Sequence, residues 1–132
     1  MNLEIQDFDA VIFDMDGVLI DSEPLWKIAM EEVFSKLGST LTKSDFQKTV
    51  GLRIDEVIHF WNLHENWGVT DESEVEEQII AAMEKLISEN PFPLPGVIDT
   101  LNYLQSINMP IGLATSSSSR LIRVVMESLN IK

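Results

Sequence analysis

The sequence predicts an α/β protein whose parallel sheet is interrupted after its first strand by an all-helical subdomain. Three observations carry that prediction. The apolar run Val11, Ile12, Phe13 stops abruptly at acids and a glycine, as a strand inside a parallel sheet does. Helical stripes then fill roughly seventy residues, too many for a simple crossover. Beyond the proline-rich "NPFPLPG" the rhythm changes to helix, strand, helix.

In chain order, "DAVIFDMDG" is the first strand and its exit turn. Trp26, Met30, Val33 and Leu37 then recur at helical spacing, with Gly38 placed to end that helix. "LTKSDFQKTVG" predicts a short helix and a turn. "RIDEVIHFWNLH" gathers Ile54, Val57, Ile58 and Trp61 on one face. "TDESEVEEQIIAAMEKLISE" supplies Thr70 or Asp71 as an N-cap, acids in its first turn, and the stripe Val75, Ile79, Met83, Leu86. The prolines of "NPFPLPG" stiffen an extended connection. "GVIDTLNYLQSIN" is helical, "MPIGLAT" a second short buried strand, and "SRLIRVVMESLN" helical again. These boundaries give a core of residues 1–18 and 94–132, with 19–93 as the inserted helical unit. No internal repeat is visible. Two strands make a sheet too small to stand alone, so further strands are expected after Lys132.

Composition narrows the function classes. At 132 residues and 45% apolar content the chain fits one folded domain and not a disordered tail. The absence of cysteine removes disulfides, thiolate metal sites and a cysteine nucleophile together. No apolar run approaches the roughly 18 residues of a membrane span, and "MNLEIQDFDA" is acidic, unlike a leader. A cytoplasmic monomer is expected. The formal net charge of −13 argues against nucleic acid or an anionic membrane as partner. A small anionic substrate remains compatible if a cation and backbone N–H groups neutralise it locally.

The chemistry concentrates at the end of the first strand. Active sites of parallel sheets gather at the carboxyl ends of strands, where Asp14 sits. Asp16 can turn back to the same place, because Gly17 permits a tight bend. Two carboxylates so close become tolerable if a hard cation lies between them, or if one keeps a proton. Both conditions suit phosphoryl transfer: one acid attacks phosphorus and the other protonates the leaving oxygen. A bare Asp-x-Asp also occurs as ordinary turn acids and in nucleotide-sugar transferases, so the pair alone decides little.

The longer string decides more. "FDMDGVLIDSEPLW" resembles motif I of the haloacid dehalogenase-like phosphohydrolases, in the subfamily of β-phosphoglucomutases and sugar phosphatases. The resemblance covers essentially the whole chain and implies a Rossmann-like core with a helical cap inserted where the helical stripes lie. It implies that Asp14 is the nucleophile of a phospho-aspartate and that Asp16 is the general acid and base. It also implies Mg²⁺, held by the Asp14 carboxylate and the Asp16 backbone carbonyl. "GLATSSSSR" matches motif II: Thr115 stands at the strand end, with the Ser116 N–H as its partner on the phosphate. A serine run is otherwise a linker, but one between a buried strand and an amphipathic helix forms an anion site. The motif III lysine and the motif IV acids find no counterpart after Thr115, so this stretch is expected to bind metal weakly and turn over poorly.

Within the subfamily, Trp26 falls where mutases carry a hinge histidine, and Ser118 and Ser119 fall where they carry a lysine and an asparagine. Both departures favour a phosphatase of small sugar phosphates over a mutase. "VGLRIDEVI" resembles the cap stretch of hexose- and hexitol-phosphate phosphatases, with Arg53 facing substrate; a surface ion pair is the competing account. Glu23 is a candidate sugar contact or simply an acid at a helix start. His59 and His64 receive no role, and Trp61 and Trp67 read as cap core. Three alternatives stand beside the phosphatase. One is mutase-type phosphoryl transfer, one an inactive fragment or interaction module, and one a receiver domain, which has no room for the insert.

Overall fold

The computed structural model describes residues 2–42, 44–89 and 93–130. Strand β1, Val11–Phe13, is followed by three helices, α1 (Glu23–Ser35), α2 (Ile54–Glu65) and α3 (Glu72–Glu89). Then come α4 (Val97–Ser106), strand β2 (Ile111–Leu113) and α5 (Ser119–Ser128). Short 3₁₀ turns occupy Ile5–Asp7 and Asp45–Thr49. The α/β architecture with a helical insertion after the first strand is the one the sequence predicts. No strand lies among the described residues between α1 and α3.

β1 and β2 pair in parallel, in the register Val11↔Ile111, Ile12↔Gly112 and Phe13↔Leu113. Both strands therefore end at the same edge. The pair is less buried than an inner parallel sheet: Ile12 is 70% exposed, because no described element covers its face. On the other face, Phe13 and Leu113 pack against the main apolar cluster.

That cluster is continuous. It runs from Met15, Leu19 and Ile20 through the inner faces of α1, α2 and α3 to Leu121, Val125 and Leu129. α1 buries Ala29, Met30, Val33 and Phe34 and stops after Ser35. Gly38 there takes a φ of 85°, and the Ser39 N–H closes back on the Phe34 carbonyl at 3.2 Å. Phe34 is wholly buried, edge-on to Phe46 at 6.0 Å and tilted over Trp67 at 4.7 Å. α2 buries Val57, Ile58 and Trp61, the expected face. α3 buries Val75, Ile79, Ile80, Met83 and Ile87, and Leu86 lies at the cluster's margin. An i, i+4 ladder from Val75 continues to Ile87, which rotates Leu86 off the centre.

Asn62 fixes the α2–α3 connection. Its amide donates to the Val69 carbonyl and to Glu72, and its carbonyl accepts the Val69 N–H. α5 packs along α3, and Arg120 pairs with both Glu77 and Glu84 across that contact. Of the proline-rich connection, Asn90, Pro91 and Phe92 lie outside the described residues. Pro93 bridges to Ile20, and the Leu94 N–H donates to the Leu19 carbonyl at 3.0 Å. The entry to the helical insertion and the return from it are thus side by side.

Candidate active site

The turn after β1 creates the site. The Leu19 and Ile20 N–H groups both donate to the Met15 carbonyl, and the Gly17 N–H donates to Ile20. Gly17 adopts a φ of 77°, a conformation that a side chain resists. Met15 is almost completely buried and anchors the segment, while Asp14 is exposed and Asp16 half-buried. Asp14 directly follows Phe13, and its Oδ1 accepts the Met15 N–H at 2.7 Å.

Asp16 is held from two directions. Its Oδ1 accepts the Ser22 hydroxyl at 2.5 Å and the Trp26 indole N–H at 3.4 Å, both from the start of α1. Its Oδ2 accepts the Ser117 hydroxyl at 2.7 Å, from the loop after β2. Ser22 is 1% exposed, a buried hydroxyl whose partner is this carboxylate.

The β2 exit loop reaches the same edge. The Ala114 N–H donates to the Phe13 carbonyl at 2.8 Å, so Thr115 emerges beside Asp14. Thr115 Oγ1 accepts the Ser117 N–H at 3.1 Å, which turns the chain toward α5. Ser118 caps α5 by accepting the Leu121 N–H. The N-terminus of α5, favourable to anions, thus opens beside Ser116 and Ser117.

A cavity of about 600 Å³ adjoins these groups, in the size range of small-molecule sites. Asp16 and Ser116 to Ser118 form its floor; Glu23, Trp26 and Lys27 of α1 form one wall, and the turn carrying Arg53 forms another. Its cations are already paired. Lys27 lies 3.5 Å from Glu23, and Arg53 bonds Asp55 at 3.2 Å and also Glu56. The Asp55 hydrogen bonds hold the Arg53 guanidinium above its ordinary value, and Arg53 in turn holds the Asp55 carboxyl below its own.

The predicted residues divide accordingly. Asp16, Ser116, Glu23 and Arg53 line one cavity, whereas Asp14 and Thr115 stand at the strand ends next to it. Arg53 makes the surface ion pair of the competing account and also lines the cavity. Ser22, Lys27, Ser117 and the Trp26 contact to Asp16 escape a reading by motif. Only Ser22 left a trace, as a small polar residue immediately before a helix start.

The donors present do not complete a Mg²⁺ shell. Among the described residues no three His, Cys, Asp or Glu side chains converge on one point. Asp14 and one backbone carbonyl fall short of octahedral coordination. No described helix is long and apolar enough to cross a membrane.

Comparison with known proteins follows the same lines. Residues 11–132 match the haloacid dehalogenase-like hydrolase family. The chain belongs to that family. Among curated members, hexitol phosphatase B of Escherichia coli is 36% identical over 124 residues, covering 93% of this chain and 56% of that protein. A phosphorylated carbohydrates phosphatase of Thermotoga maritima is 33% identical, covering 85% of this chain and 51% of its own length. The fold agrees with a hydrolase from Pseudomonas syringae at a TM-score of 0.77 and 21% identity, covering 95% of this chain and 57% of that one. β-Phosphoglucomutase from Clostridium difficile superposes at 0.73 with 23% identity, covering 94% and 57%. The chain thus spans just over half the length of the relatives it matches.

Proposed function

We propose that the protein is a phosphatase of small sugar phosphates that works through a phospho-aspartate on Asp14. The observation that carries this reading is the meeting of Asp14, Asp16 and the Thr115–Ser116 loop at one edge of a parallel strand pair, beside a cavity of sugar size. The relatives named for hexitol and carbohydrate phosphates support the substrate class. Residues 1–18 and 94–132 act as the catalytic core, and 19–93 as the cap that closes over the sugar.

In this reading an Asp14 carboxylate oxygen attacks phosphorus, and the bond from phosphorus to the sugar oxygen breaks. Asp16 gives its proton to the departing alkoxide. Asp16 then takes a proton from water, which attacks the phospho-aspartate and releases inorganic phosphate with Asp14 restored. The Thr115 hydroxyl, the Ser116 N–H and the α5 N-terminus hold the phosphate oxygens. Arg53 and Glu23 face the sugar. Mg²⁺ is the expected cofactor: the Asp14 carboxylate and the Asp16 backbone carbonyl would hold it, and it would screen the phosphate charge from the attacking carboxylate.

Trp26 also separates hydrolysis from phosphoryl shuttling. The indole fills the position of a mutase histidine and points its N–H at Asp16. The full-length protein should release phosphate from hexose and hexitol phosphates and convert β-glucose 1-phosphate to the 6-phosphate slowly. Isomerisation faster than phosphate release would assign it to the mutases.

A further inference from the structure

We propose that Ser117 and Trp26 are positioning residues for Asp16, clasping its two oxygens from opposite sides of the site. The idea rests on the reading of Asp16 as proton carrier and adds what aims it. Ser117 belongs to the loop after β2, 101 residues away in sequence, and it bonds Oδ2. Trp26 belongs to α1, and it bonds Oδ1 from the second turn of that helix. Asp16 is therefore the polar tie between the start of the helical insertion and the loop that receives phosphate.

The chemistry explains why both donors matter. A half-buried carboxylate with one bonded oxygen can swing about χ2, whereas one bonded at both oxygens keeps a single heading. The buried Ser22 fixes Oδ1 at the base of the turn; Trp26 shares that oxygen at longer range and closes the side toward the cavity. The clasp thus keeps Asp16 aimed at the phosphate side of the site.

The test compares Ser117→Ala, Ser117→Thr, Trp26→Phe and Asp16→Asn in the full-length protein. Two substrates are used, an alkyl sugar phosphate and p-nitrophenyl phosphate, whose leaving group departs without a proton. Misaiming the proton carrier should lower kcat for the alkyl phosphate roughly tenfold to a hundredfold in Ser117→Ala. The loss should be only a few-fold in Trp26→Phe, where Ser22 still holds Oδ1, with KM within about twofold in both. Single-turnover phosphoenzyme formation from p-nitrophenyl phosphate should be unchanged, and Ser117→Thr should restore the alkyl substrate. In the 132-residue chain, Asp16→Asn should move the Trp26 indole N–H resonance and leave those of Trp61 and Trp67 in place. Raised KM with intact kcat, equal slowing of both substrates, or no effect of either variant would overturn the clasp. If Asp16→Asn itself left alkyl phosphate turnover intact, the proton-carrier reading would fall instead.

Discussion

The Leu94 N–H donates to the Leu19 carbonyl at 3.0 Å, next to the bridge between Ile20 and Pro93. These residues are separated by the whole helical insertion, yet they join the two chain crossings into one short ribbon. Movement of the insertion relative to the strands has to bend this ribbon. Hydrogen exchange provides a direct test: the Leu94 amide should be protected like the ends of α3, although it sits in a proline-bounded loop. Exchange at the rate of a free loop amide would mean that the ribbon does not persist in solution.

Phe34 is the centre of the helical insertion, fully buried between Phe46 and Trp67. Truncation to alanine removes apolar burial and leaves a cavity, so Phe34→Ala should cost about 3–5 kcal/mol in urea unfolding. Leu63 is 62% exposed on α2, and Leu63→Ala should change stability by no more than about 0.5 kcal/mol. Equal losses at the two sites would contradict the packing described.

Glu72 carries a defined pH dependence. The Asn62 amide first, and His59 second, hold its carboxyl below the ordinary value of 4.5. The folded state therefore binds this proton less readily than the unfolded chain. The stabilisation is fully present above pH 4.5 and is lost as the pH falls through the lower folded value. Thermal melts of the natural chain and Glu72→Gln should differ most above that range and converge below it. A constant difference at every pH would mean that folding leaves the Glu72 carboxyl unshifted, contrary to this account.

Much of this was legible in the sequence, for reasons that individual residues make plain. The stripes of α1 and α2 announced themselves because Met30, Val33, Val57, Ile58 and Trp61 repeat at helical spacing and are buried together. Asp14 and Asp16 stood out because acids seldom follow an apolar strand so closely. The exposure of Ile12 did not show, since an apolar run has the same pattern whether one face or both are covered. The partners of Asp16 were hidden for another reason: Ser117 meets it only through the pairing of β1 with β2. The contact is a product of topology, and local pattern does not encode it.

The division of labour between Asp14 and Asp16 is the centre of the account, and trapping with beryllium fluoride, a phospho-aspartate mimic, tests it most directly. In the full-length protein, Asp14→Asn should abolish trapping, because an amide oxygen is a far weaker nucleophile and ligand than a carboxylate. Asp16→Asn should still trap, while its turnover of alkyl phosphates falls roughly 10²–10⁴-fold for want of proton transfer. Trapping lost in both variants, or retained in both, would contradict the assignment of one acid to the covalent bond and the other to the proton.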